Sequence, residues 1–147
     1  MRSIQQFKPE MAEARRSGFF TIGEASAASG VSAKMIRHYE QIKLISAANR
    51  SFANYRIYST TEVDTLGFIK RARTLGFTTR QIADLLGLWQ KQNRSSAQVK
   101  KLAMEHVQEL EGKISEMQNM CDELKALANR CHGDDKPDCP ILKGLAS

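Results

Sequence analysis

The chain has 147 residues, three cysteines and a formal net charge of +6. That length suits one compact domain, or a small domain with an extended helix. No run of about 18 apolar residues occurs, and the N-terminus lacks an apolar signal region, so the sequence reads as a cytoplasmic protein without a membrane span. The charge is uneven: residues 19–91 carry 10 Lys/Arg against 5 Asp/Glu, and residues 92–147 carry 8 against 9. A basic front half expects an anionic partner, nucleic acid first, although a solvated basic surface would look the same.

Residues 1–18, polar with a Pro and a closing Gly, read as a mobile arm. From Phe19 the pattern tightens. "TIGEASAASGVSAKMIRHYEQIKLI" predicts a helix, a turn at Gly30 and a second helix capped by Ser32, with Ile36, Tyr39 and Ile42 at helical spacing. Two short helices about a Gly turn make a helix-turn-helix. The second carries Lys34, Arg37, His38 and Tyr39, types that reach phosphates or base edges. "NRSFANYRIYS" predicts a two-stranded hairpin turning near residues 51–54, with Asn54 able to take a left-handed backbone. Arg50, Tyr55 and Arg56 make it a basic, aromatic hairpin, as a DNA-binding wing would be; Tyr58 reads as core.

Three S/T-x-x-E/Q pairs then mark helix starts: Ser59 with Glu62, Thr78 with Gln81, and Ser95 with Gln98. The first helix runs to about Leu75 and ends at Gly76; its buried stripe is Val63, Leu66 and Ile69, so Lys70, Arg71 and Arg73 face outward. The second runs to about Trp89. The third, from Ser96 to about Arg130, places Ala103, Val107, Leu110, Ile114, Met117, Cys121, Leu124 and Ala128 in an unbroken heptad seam. At 1.5 Å per residue that helix is about 50 Å long. It cannot bury the seam alone, and a second copy of the chain is the expected partner.

Cys121 lies in the seam and reads as a small buried hydrophobe. Cys131 and Cys139 flank a loop shaped by Gly133 and Pro137. Two thiolates are the minimal site for a soft monovalent ion such as Cu(I), whereas structural Zn(II) asks for four ligands. Spacing alone leaves metal binding, a reversible disulfide and idle thiols open. No nucleophile–base pair is recognisable, and the three histidines are scattered, so no enzyme is expected.

"FTIGEASAASGVSAKMIRHYEQIKLI", "NRSFANYRIY", "RARTLGF", the long seam helix and the terminal C-x7-C loop together resemble the MerR family of transcription regulators, and within it the copper-efflux branch, over about residues 19–142. The resemblance implies a mainly α fold: a winged helix-turn-helix domain (19–91), a dimerisation helix (95–130) paired antiparallel in a homodimer, and a metal-binding loop with a short C-terminal helix (131–147). It implies that Cys131 and Cys139 bind Cu(I), with Ag(I) or Au(I) as possible alternatives. It also implies that Ser96, where zinc- and lead-type relatives carry a third Cys, sets metal selectivity together with Lys100. Lys34, Arg37 and Tyr39 on the recognition helix and Arg50, Tyr55 and Arg56 on the wing are the implied contacts to double-stranded promoter DNA, with RNA polymerase as the further partner. A dithiol redox sensor, a copper carrier and a family member answering a divalent metal are the competing readings.

Overall fold

The computed structural model describes residues 8–91 and 93–147. Among these residues, seven helices and three short strands follow in the order α1 (Met11–Arg16), β1 (Phe20–Thr21), α2 (Ile22–Ser29), α3 (Ala33–Gln41), β2 (Asn49–Arg50), β3 (Arg56–Tyr58), α4 (Thr60–Thr74), α5 (Thr79–Gln90), α6 (Ser96–Asn129) and α7 (Pro140–Ala146). Two compact units divide between Arg94 and Ser95.

In the first unit, local chemistry sets the helix starts. Ser59 and Thr78 form capping boxes with Glu62 and Gln81, as their spacing predicts. Thr21 and Glu24 form a third such box, which opens α2. Gly30 ends α2 at φ 75°, a left-handed backbone that favours Gly, and Ser32 caps α3 by accepting from Met35 N–H. On α4 the residues Val63, Leu66, Ile69 and Ala72 are buried at i+3 spacing, while Lys70, Arg71 and Arg73 are exposed. These four join Ala25, Ile36, Tyr39, Tyr58, Ile82 and Leu86 in one core. Burying a Leu or Ile contributes about 1.5–3 kcal/mol, so this cluster is what holds α2 to α5 together.

The hairpin is part of a three-stranded antiparallel sheet of order β1-β3-β2. Phe20 pairs with Tyr58 and Arg50 with Arg56. The two-residue β1 carries no alternation to read, which is why the sequence predicts only two strands. Residues 8–18 also differ from the expected mobile arm. They hold α1, Ala14 is fully buried, and Phe52 N–H donates to Pro9 O at 2.7 Å. The remainder of the expected arm, residues 1–7, lies outside the described residues.

The second unit is α6 and α7. Ser95 caps α6 by accepting from Ala97 N–H. Its buried residues are His106 and Leu127. Neither belongs to the expected seam, which is largely open in the single chain: Ile114 is 64% and Met117 63% exposed, and Cys121 is exposed as well. Gly144 of α7 sits against Leu127, where an added Cβ would stand 2.6 Å from Leu127 Cδ2. Gly144 makes a close approach to the Leu127 side chain; Ile141 is half-buried, and Leu142 and Leu145 are exposed in the single chain.

Candidate nucleic-acid interface and thiol site

Helix α3, the expected recognition helix, splits cleanly into two faces. Ile36 and Tyr39 are buried; Lys34, Arg37 and His38 are exposed. Tyr39 therefore belongs to the core, and its hydroxyl accepts from Arg73 Nη1 at 3.0 Å, tying α3 to the end of α4. The turn into α3 is covered by Lys70, whose side chain occupies the space that a Cβ on Gly30 would need.

The wing turn spans residues 51–55. Ser51 N–H donates to Tyr55 O at 2.8 Å, Tyr55 N–H to Ser51 Oγ at 3.1 Å, and Asn54 takes φ 68°. Arg50 Nη1 donates to Asn54 O at 3.1 Å. Phe52 and Tyr55 project from the turn, 73% and 64% exposed. Arg56 is half-buried and paired to Glu40 at 3.4 Å, and Glu40 also accepts from Tyr58 Oη. Burial, and then the Glu40 carboxylate, push the Tyr58 hydroxyl well above the ordinary tyrosine value. Of the six DNA contacts expected from the sequence, Lys34, Arg37 and Tyr55 are thus exposed and Arg50 half-buried. Arg56 and Tyr39 are each committed to a bond inside the unit.

The thiol site lies where α6 ends. Cys131 N–H donates to Ala128 O at 3.0 Å, and Gly133 turns the chain at φ 62°. The loop returns at Cys139, the residue before Pro140 at the start of α7. The Leu142 amide, then the Ile141 amide and the Cys131 side chain, donate to the Cys139 sulfur and hold its thiol below the ordinary value; desolvation and Asp138 act the other way. The structure thus brings Cys131 and Cys139 together as a pair of soft donors, with the Cys139 thiol made more acidic by its amide neighbours; the thiolate is the form that binds soft metals. Asp138 is engaged by Lys143 Nζ at 2.7 Å, and that contact raises the Lys143 amine. Cys121, ten residues before Cys131 and inside α6, is not part of the pair. Ser96 and Lys100 are exposed at the opposite end of this 34-residue helix. They stand roughly 45–50 Å from Cys131 of the same chain at 1.5 Å per residue.

The profile "MerR family regulatory protein" matches residues 21–58, and "MerR, DNA binding" matches residues 63–127. "Heavy metal-dependent transcription regulator 2" of Rhizobium meliloti (strain 1021) is 56% identical over 126 residues, 86% of each chain. "HTH-type transcriptional regulator CueR" of Salmonella typhimurium is 39% identical over 125 residues, 85% of this chain and 91% of that one. Among solved structures, the transcription regulator PbrR691 from Ralstonia metallidurans CH34 in complex with lead(II) superposes with a TM-score of 0.74 at 28% identity, over 86% of this chain and 98% of that one. The chain belongs to the MerR family of DNA-binding transcription regulators. Its relatives are regulators and not enzymes, and no helix among the described residues is long and apolar enough to cross a membrane.

Proposed function

We propose that this chain is a cytoplasmic regulator that binds promoter DNA as a homodimer and activates transcription of copper-efflux genes when Cys131 and Cys139 take up Cu(I). The observation that carries the reading is the pairing of these two sulfurs beside the start of α7, where backbone amides lower the Cys139 thiol. Two thiolates with a monovalent ion leave one net negative charge; with a divalent ion they leave none. The open N-terminus of α6 at Ser96, together with Lys100, favours the anionic complex. These residues reach the pair only from the second copy, with the long helices antiparallel and the exposed seam from Ala103 to Ala128 as their contact. The name of the Rhizobium meliloti relative, 56% identical, supports metal response, and that of the Salmonella relative, CueR, the copper-efflux branch.

Lys34, Arg37, Arg50 and Tyr55 grip the DNA, with Arg56 and Tyr39 holding the wing and recognition helix in place behind them. Ordering of the loop shifts the pair of DNA-binding units, which bends and undertwists the promoter until RNA polymerase can use it. Such deformation costs a few kcal/mol, about what a ligand-biased two-state switch supplies. Ag(I) and Au(I) fit the same pair of sulfurs.

Anaerobic titration of the reduced protein with Cu(I), followed by transcription from the promoter adjoining the gene, tests this. Cu(I) binding and activation that survive Cys131→Ser would overturn it. The lowered Cys139 thiol also supports a second reading, a dithiol redox switch. That reading requires activation by oxidant in metal-free protein.

A further inference from the structure

We propose that residues 8–18 are a brace that positions the wing for DNA. The family match begins at residue 21, so this segment stands outside it. From β1 the chain runs back through Gly18 at φ 83°, where Phe19 N–H donates to Ala14 O at 2.9 Å. It continues through α1 to Pro9. Pro9 is buried, and its carbonyl accepts from Phe52 N–H at 2.7 Å. Phe52 follows Ser51 in the wing turn, between Arg50 and Tyr55.

Three features mark a docked element. A six-residue helix is too short to persist unaided, yet α1 forms, with Ala14 fully buried. Arg15 reaches Glu24 Oε1 at 3.5 Å, an exposed pair that orients α1 but adds little. Proline fixes its own φ, so Pro9 gives up little freedom in presenting its carbonyl. The Phe52 amide, which points out of the hairpin ladder, is satisfied by the brace. Holding this amide narrows the conformations of the turn before DNA arrives. Less ordering then remains to be done on binding, and Arg50 and Tyr55 are presented ready-set. The brace acts through the wing and does not itself touch DNA. This rests on the reading of Arg50 and Tyr55 as DNA contacts.

Full-length protein, a deletion of residues 1–7 and a deletion of residues 1–16 are compared on a double-stranded fragment carrying the adjoining promoter. Each is also made with Arg50→Ala and Tyr55→Ala. Amide exchange at Phe52 is followed in the same proteins without DNA. The shorter deletion keeps full affinity. The longer one speeds exchange at Phe52 and weakens DNA binding about tenfold, the factor set by ordering roughly one more backbone residue on binding. In the Arg50→Ala/Tyr55→Ala background it weakens binding less than about twofold, because the two changes act on one device. Ala14→Asp, a charge at the buried docking position, gives the same pattern in the full chain should the longer deletion fail to fold. Unchanged affinity and exchange would overturn the brace. So would a tenfold loss that persists in the double-substituted background, since α1 would then contact DNA itself. Arg50→Ala/Tyr55→Ala binding DNA as tightly as the parent would sink the wing assignment, and the proposal with it; Phe52 exchange shows separately whether the brace exists.

Discussion

Gly144 meets Leu127 so closely that a Cβ on the glycine would stand 2.6 Å from Leu127 Cδ2 and 3.0 Å from Cδ1. Gly144→Ala therefore overpacks the contact between α7 and α6, a class of change that costs about 1–3 kcal/mol. Amide exchange in α7 should rise and the metal response should weaken. Leu127→Ala in the same chain should restore room and recover part of both. If the alanine variant protects α7 as well as the parent does, the contact is not the one that holds this helix.

The thiol pair makes a sharp demand. Cys131→Ser or Cys139→Ser removes one of two soft donors, and Cu(I) affinity should fall by at least about 100-fold, the upper range seen when even an outer partner of a metal ligand is lost. Competition titration against a Cu(I) chelator measures it. In the proposed antiparallel dimer, Ser96→Cys supplies a third thiolate from the opposite end of the second copy's helix. Transcription should then extend to Zn(II) and Pb(II), and an unchanged metal profile would count against the charge-and-ligand argument.

Arg37 is exposed on α3 and free of the core. Arg37→Ala should weaken operator binding and reduce the slope of log affinity against log salt by about 1 if it neutralises a phosphate. Affinity measured across a salt series checks both. Tyr39→Phe should act differently. It removes only the hydroxyl bonded to Arg73, and the expected cost is about 1 kcal/mol of stability, with DNA affinity largely kept.

Much of this was legible in the residues, for physical reasons that differ by element. Ser59 with Glu62 and Thr78 with Gln81 announce helix starts because the capping bonds are local. Thr21 with Glu24 carries the same signal inside "TIGE", where the apolar pattern around it masks the cap. The short loop turned by Gly133 allows Cys131 and Cys139 to approach, but its spacing does not say what the two sulfurs do. Tyr39 shows the limit. Its spacing from Ile36 places it in the core, while its type and the family resemblance place it on DNA; only the fold, which sets Arg73 beside its hydroxyl, decides where it lies. The structure of residues 8–18 was illegible because its contacts are non-local: Phe52, whose amide donates to Pro9 O, lies some forty residues away in sequence.

Glu62 supplies a test of pH dependence. Burial raises its carboxyl above the ordinary value; the Ser59 amide opposes this, and Glu40 adds to the rise. The ionised form is thus penalised in the folded state. The protonated group's contribution to stability is complete below the unfolded pKa and is lost as pH rises through the folded one. Glu62→Gln keeps a capping acceptor and removes the charge. Relative to the parent, its melting temperature should improve as pH climbs from about 4 towards 7. Thermal melts across that range check it, and an advantage that shrinks with rising pH would contradict it.

The division of α3 into a buried face and an exposed one has a consequence for evolution. Ile36 and Tyr39 fasten the helix, so Lys34, Arg37 and His38 can change without disturbing its footing. On the proposed reading of α3 as the helix that meets DNA, a duplicated gene could acquire a new operator through changes on this face while keeping its thiol pair. A cell could in this way assign one metal signal to several promoters by drift at a handful of codons.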